Sequence, residues 1–349
     1  MMTKKILLAF GFCIIIQSYS FAQSNLPIEL QKMQENAKVS LGQGDYANSI
    51  MLLNQAIRQM PNDVSLRRDL SYTYYLSGKV KKAKEVIDPV VSSEFADELT
   101  FQLAAAIEGS LDNYAKSKKI LKNGIKKFPH SGLLYNSQGN LYSKNKSDKS
   151  AMASWTKGIE KDPTYAQNYS QAAKQYFNDG NAVWAVLYTE IALNLDDNPT
   201  RVPEMKKLLA ESYQLLFSPG KNEKLPEFYG SSSKSNNNSF AAAFRSTILQ
   251  NATLLSKGFD VETLIMLRTR FLLSWQNNYA NQYPFTLFTY QQKLLQNGYF
   301  DAYNQWLFGS YSSSQAFSAW VQKHSKLYKD FEVWKKNNPL QPASFDPKP

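Results

Sequence analysis

A thirty-four-residue period runs through more than half of this chain and limits what it can fold into. Proline marks the period. Pro61, Pro129 and Pro163 each close a helix-like run, and the gaps between them are 68 and 34 residues. In that register five units follow without a break: 30–63, 64–97, 98–131, 132–165 and 166–199. Self-similarity at such a period signals identical supersecondary units stacked side by side.

Two columns of the repeat hold only small residues. The eighth position reads Ala37, Ser71, Ala105, Gly139, Ala173, and the twentieth reads Ser49, Ala83, Ser117, Ala151, Ala185. Two antiparallel helices per unit that cross at these points explain the pattern, because a bulky side chain there would hold them apart. Aromatics recur at the eleventh position (Tyr74, Tyr142, Tyr176) and large apolar residues at the twenty-fourth (Leu53, Ile87, Leu121, Trp155). Turns fall between the two helices at Gly44-Asp45, Gly78-Lys79, Asp112-Asn113 and Gly180-Asn181, where glycine takes the left-handed backbone that ends a helix.

This pattern resembles the tetratricopeptide repeat family over residues 30–199. The resemblance implies an all-α fold, a right-handed superhelix of five helix pairs with a concave inner face. Three features depart from it: Pro89 falls inside a second helix, and Phe95 and Asp197 stand where the closing proline is expected. Pro89 should shorten or kink its helix. A stack also needs a cap. Residues 203–217 supply one, with Met205, Leu208, Leu209, Tyr213 and Leu216 as a buried stripe and Glu204, Lys206, Lys207 and Glu211 facing water. The repeat domain with its cap then spans 23–217.

In such a stack positions two, five, nine and twelve of each first helix line the inner face. Here they give Gln34, Lys38, Arg68, Tyr72, Tyr75, Gln102, Asn136, Asn140, Gln167, Ser170, Lys174 and Phe177, with Leu99, Ala106, Leu133 and Ser143 between them. The lining has no acidic side chain. Amides carry donors and acceptors together and suit an extended peptide backbone, while Lys38, Arg68 and Lys174 suit carboxylates. The lysines concentrate elsewhere, at 79, 81, 82 and 84 and at 116, 118, 119, 122, 126 and 127, on second helices that the resemblance puts outside. They read as a solvated face, with an anionic envelope polymer as the other reading.

Residues 218–239, rich in Ser and Asn, read as a flexible linker. Beyond it aromatics become dense, and helices are expected over 240–257, 260–279, 284–297, 299–308 and 313–336. This reads as a second α-helical domain, 240–336, followed by a Pro-rich tail, 337–349. The run from Leu264 to Leu273 is apolar nearly all round and reads as a buried central helix in which Arg268 and Arg270 need partners or an exit to water. The last helix carries a single stripe: Phe317, Trp320, His324, Leu327, Phe331, Trp334. Aromatics at helical spacing read as core before they read as a sugar platform.

The start of the chain gives an address. Lys4 and Lys5 precede an apolar run, Ile6 to Ile16, and Ser20-Phe21-Ala22 is a small-x-small site. That is a cleaved secretory signal, 1–22, too short for a membrane span. The one cysteine, Cys13, lies within it, and Phe12 before it is too large for a lipid-anchor site. The mature chain is therefore exported, to periplasm or exterior, and is not transmembrane. With one Cys and two His in 349 residues, Cys/His zinc sites and His-based nucleophilic catalysis have few residues to draw on. Asp260, Glu262 and Asp301, the best-placed carboxylates, read as helix starts. No phosphate loop or metal-ligand spacing appears, so no cofactor is expected.

The functional expectation is a non-enzymatic exported scaffold. It binds a protein or peptide through the inner face, in an envelope or secretion assembly. The alternative is an envelope glycan-binding protein using exposed aromatics of 240–336. The formal charge of +11 falls by two when Lys4 and Lys5 leave with the signal; the surplus reads as a soluble, self-repelling surface, with an anionic partner as the other reading, and export argues against nucleic acid.

Overall fold

The computed structural model describes residues 27–218, 239–344 and 346–349, and the chain divides into two compact units, Met1–Phe95 and Ala96–Pro349. The signal sequence with Cys13, and all but the ends of the 218–239 linker, lie outside the described residues. Every regular element among the described residues is helical.

The first unit holds two helix pairs, α1 (Ile28–Gly42) with α2 (Tyr46–Gln59) and α3 (Val64–Leu76) with α4 (Val80–Val91). The second holds three more: α5 (Glu98–Ser110) with α6 (Tyr114–Lys127), α7 (Gly132–Lys144) with α8 (Asp148–Lys161), and α9 (Ala166–Asn178) with α10 (Ala182–Leu195). Their starts follow from capping. Asp45, Asp63, Asp97 and Ser131 each accept the backbone N–H three residues on, at 3.0, 2.8, 2.8 and 3.3 Å. Their turns follow from one backbone state. Gly44, Gly78, Asp112, Lys146 and Gly180, the fifteenth residue of each repeat, all have positive φ, from 56 to 78°. Pro89 lies within α4, which has 12 residues where α2, α6, α8 and α10 have 14.

The ten small positions are all buried. The Ser71 hydroxyl donates to the Ala83 carbonyl and Ser117 to Ala105, both at 2.8 Å, so the eighth and twentieth positions of one repeat touch directly. Gly139 is the tightest case: a Cβ there would lie 2.2 Å from Trp155 Nε1.

After α10 come α11 (Val202–Phe217), α12 (Phe240–Leu249), a 3₁₀ turn (Ala252–Lys257), α13 (Val261–Asn278), α14 (Thr286–Gln296) and α15 (Phe300–Asn304). A π turn (Gln305–Gly309), α16 (Ser310–Ser312), α17 (Ser314–Lys323) and α18 (Ser325–Asn337) complete the chain. The expected cap stripe on α11 is buried. Its other side is not left to water, however. α11 touches α16 and the π turn, and Lys206, expected to face water, lies over the ring of Trp306.

The residues expected to form a second domain share one core with the repeats. Trp184 of α10 packs on Phe240, and Phe240 in turn on Trp275, Phe285 and Phe288, with ring centroids 5.2–6.1 Å apart. Tyr213 of α11 meets Phe308 edge-on at 5.6 Å. The C-terminal tail also docks: Asp346 accepts the Thr286 N–H and hydroxyl, both at 2.8 Å, and so caps α14 from sixty residues away.

Three helix expectations need correction. The 240–257 helix gives way to the 3₁₀ turn after Leu249. The helix expected over 313–336 breaks at His324, whose ring stacks on Trp320 at 4.5 Å and bonds its carbonyl. α13 is not buried all round, since Met266 and Leu273 are 42% and 56% exposed and Arg270 reaches water. The starts hold better: Asp260 caps α13 at 2.8 Å, and Ser313 caps α17.

Candidate functional site

The candidate site is the face made by the first helix of each pair, built separately in the two units. In the first unit the Gln34 amide of α1 donates to Asp69 at 2.7 Å and to Ser65 at 3.3 Å, both on α3. Gln34 is buried, while Lys38, Arg68, Tyr72 and Tyr75 are half-buried beside it. The Arg68 guanidinium lies 3.5 Å from Asp69.

In the second unit polar side chains again join first helix to first helix. Gln102 of α5 donates to Ser137 of α7 at 3.3 Å, and Asn168 of α9 donates to the Gly132 carbonyl of α7 at 3.0 Å. Lys174 of α9 pairs with Glu204 of α11 at 2.8 Å. α5 touches α7, α7 touches α9 and α9 touches α11. Gln102, Asn136 and Ser170 are buried; Asn140, Gln167, Lys174 and Phe177 are half-buried. Asn140 donates to Asn136 at 3.1 Å and accepts the Trp155 indole N–H at 3.2 Å. Gln102 Oε1 and Asn136 Nδ2 are buried without a hydrogen-bond partner. They are an acceptor and a donor at the same position of adjacent repeats. Buried polar atoms are rarely left so.

Two electrostatic details were not foreseen. The lining was expected to lack acids, yet Asp69 and Glu204 sit against it and bind Arg68 and Lys174, the cations expected to await a ligand carboxylate. At the edge of the face, burial raises the Glu98 carboxyl above its ordinary range, and a 2.8 Å bond from Ser131 partly offsets that. The outer lysines behave as the sequence suggests. All six on α6 are exposed. Lys116 reaches Glu108 at 2.6 Å and Lys127 donates to the Ala96 carbonyl.

A second polar cluster lies in the shared core. Glu190 of α10 pairs with Arg268 of α13, both almost fully buried. The same carboxylate oxygen accepts from Gln291 at 2.6 Å and Tyr303 at 2.8 Å, and Arg268 also donates to Asn304 at 2.8 Å. The guanidinium is surrounded by the rings of Tyr213, Phe300, Tyr303 and Phe308 at 5.4–5.8 Å. Enclosure on all sides makes this a clamp joining α10, α13, α14 and α15. Arg268 required a partner on sequence grounds, and Glu190 is that partner.

Residues 40–107 match the tetratricopeptide repeat family. No curated protein matches the chain. Among solved structures, a thermophilic tetratricopeptide repeat protein of Thermus thermophilus is 17% identical, covering 53% of this chain and 99% of that one, with a TM-score of 0.44. PilF of Pseudomonas aeruginosa is 14% identical over 54% of this chain and 90% of its own (TM-score 0.42). MamA of Desulfovibrio magneticus RS-1 is 14% identical over 50% and 99% (TM-score 0.38).

Proposed function

We propose that this chain, with helix pairs of tetratricopeptide type, is an exported non-enzymatic scaffold that holds a protein or peptide against its first-helix faces. One observation carries the reading. The polar residues of that face are buried (Gln34, Gln102, Asn136, Ser170) or half-buried (Lys38, Arg68, Asn140, Gln167, Lys174), whereas the lysines of the second helix α6 are exposed. Within the second unit the first helices touch one another in sequence, as the inner members of a curved array do. A face of amides, Tyr and Phe, partly shielded and held by its own hydrogen bonds, suits an extended chain that brings its own backbone donors and acceptors. Asn140, Gln167 and Phe177 in the second unit, and Tyr72 and Tyr75 in the first, are the groups we assign to contact. Export rests on the 1–22 signal pattern; among the described residues no helix is long and apolar enough to cross a membrane.

Against the glycan reading, Phe271, Trp275, Phe285, Phe288, Tyr303 and Phe308 are core residues. The test is capture from an envelope fraction with the mature chain, repeated with Asn140→Arg/Gln167→Arg and with Lys119→Glu/Lys122→Glu. A captured protein that is lost with the first pair and kept with the second supports the assignment. Capture that is indifferent to the first pair, or lost only with the second, contradicts it.

A further inference from the structure

Two lysines from distant parts of the chain converge on one indole. Lys206 of α11 and Lys335 of α18 place their Nζ atoms 5.0 and 4.4 Å from the centre of the Trp306 ring. Both are half-buried. Among the described residues neither makes a hydrogen bond or an ion pair, and the Trp306 N–H bonds no protein group. The Asp197 carboxylate is felt at Lys335 but forms no pair with it. Trp306 itself lies on the π turn Gln305–Gly309, a rare form that recurs at functional sites.

An indole face attracts an ammonium. Two ammonium groups brought partly out of water at one indole repel, and neither forms an ion pair with a carboxylate, Asp197 acting on Lys335 without pairing with it. Burial, with Lys335 adding to it, pushes the Lys206 ammonium down to about 8, and burial lowers Lys335 as well. Elsewhere in this unit partly buried cations find carboxylates: Lys174 has Glu204 and Arg201 has Asp196.

We infer that Lys206 and Lys335 form a binding site for a phosphate dianion at Trp306. Two separate ammonium charges match the two negative charges of a phosphate. Lysines act as point charges toward such a group, whereas a planar carboxylate is better matched by an arginine fork. The site is independent of the first-helix face and does not rest on the scaffold reading.

The test uses the full mature chain at pH 7.5, with inorganic phosphate as the probe and sodium chloride at equal ionic strength as the reference. A ligand that binds only the folded state raises the unfolding temperature. Phosphate should raise it saturably beyond chloride. Lys206→Met and Lys335→Met, which keep the apolar stem, should each raise the unfolding temperature without phosphate and abolish the phosphate response, while Lys326→Met on exposed α18 surface keeps it. In the wild type, phosphate should slow acetylation of Lys206 and Lys335 and leave Lys326 unaffected, a readout that needs no variant. No rise beyond chloride, an undiminished response in the Met variants, or labelling of Lys206 indifferent to phosphate overturns the site.

Discussion

The Ser71 hydroxyl donates to the Ala83 carbonyl at 2.8 Å, and both residues are fully buried where α3 crosses α4. The eighth and twentieth positions of the repeat are therefore one contact, seen from its two sides. Alanine occupies the eighth position in three other repeats, so Ser71→Ala should cost about 1 kcal/mol, the net worth of the hydrogen bond. Ser71→Leu has nowhere to place its side chain and should cost about 3 kcal/mol or more, the overpacking limit in a closed crossing. Urea unfolding of the two variants checks the order.

Lys146 holds the left-handed backbone that glycine holds in three of the five equivalent turns, with φ of 56°. That conformation disfavours a residue with a Cβ by about 1–2 kcal/mol. Lys146→Gly should raise stability by about 1 kcal/mol after the greater flexibility of the unfolded glycine is counted. Gly44→Lys should lower stability. A shift in denaturation midpoint at constant slope measures both.

Arg268 is the one cation bonded to the buried Glu190 carboxylate among the described residues. Arg268→Met leaves that charge with neutral donors only, and breaking a buried pair from one side typically costs about 3–5 kcal/mol. The double variant Arg268→Met/Glu190→Gln should lose less than the sum of the two single changes. A double-mutant cycle by chemical denaturation gives the coupling directly.

The Lys206 ammonium titrates near 8 in the folded chain, below its ordinary 10.5, because burial and then Lys335 disfavour its charge. Between these two values the unfolded chain binds more protons than the folded one, so this residue makes stability rise with pH across that window. Below it the full penalty remains. The difference in unfolding free energy between Lys206→Met and wild type should thus be greatest at pH 7 and shrink toward pH 10. Buried tyrosines act in the opposite sense at the upper end. Tyr328, pushed up to about 12 by burial and by Glu332, binds protons more tightly when folded. The comparison with the variant cancels that contribution.

The repeat was legible because one steric demand recurs: helices that touch exclude bulk, and the sequence writes that exclusion ten times. The same period assigned the residues of the proposed face. Its electrostatics did not follow, because Asp69, although next to Arg68 in the chain, lies one position off the columns assigned, and Glu204 reaches Lys174 from α11, thirty residues on. The C-terminal half was legible as helices and as an aromatic core, and Asp260 as a cap. Its attachment to the repeats was not. Glu190 and Arg268 are 78 residues apart, and Glu190 and Tyr303 are 113 apart. No local pattern says which apolar stripe meets which. Lys206 misled for the same reason: its helix alone puts it toward water, and Trp306 and Lys335 arrive there from much later in the chain.

Gly139 offers the most direct test of the crossing, since a Cβ there would meet the Trp155 ring at 2.2 Å while one at Gly42, also helical, would meet nothing within 4 Å. Gly42→Ala should be neutral or stabilising by about 0.5–1 kcal/mol, as helix propensity dictates. Gly139→Ala should instead destabilise by about 2 kcal/mol or more, because Trp155 and its bond to Asn140 must move. Equal unfolding free energies for the two variants would contradict the helix-pair account.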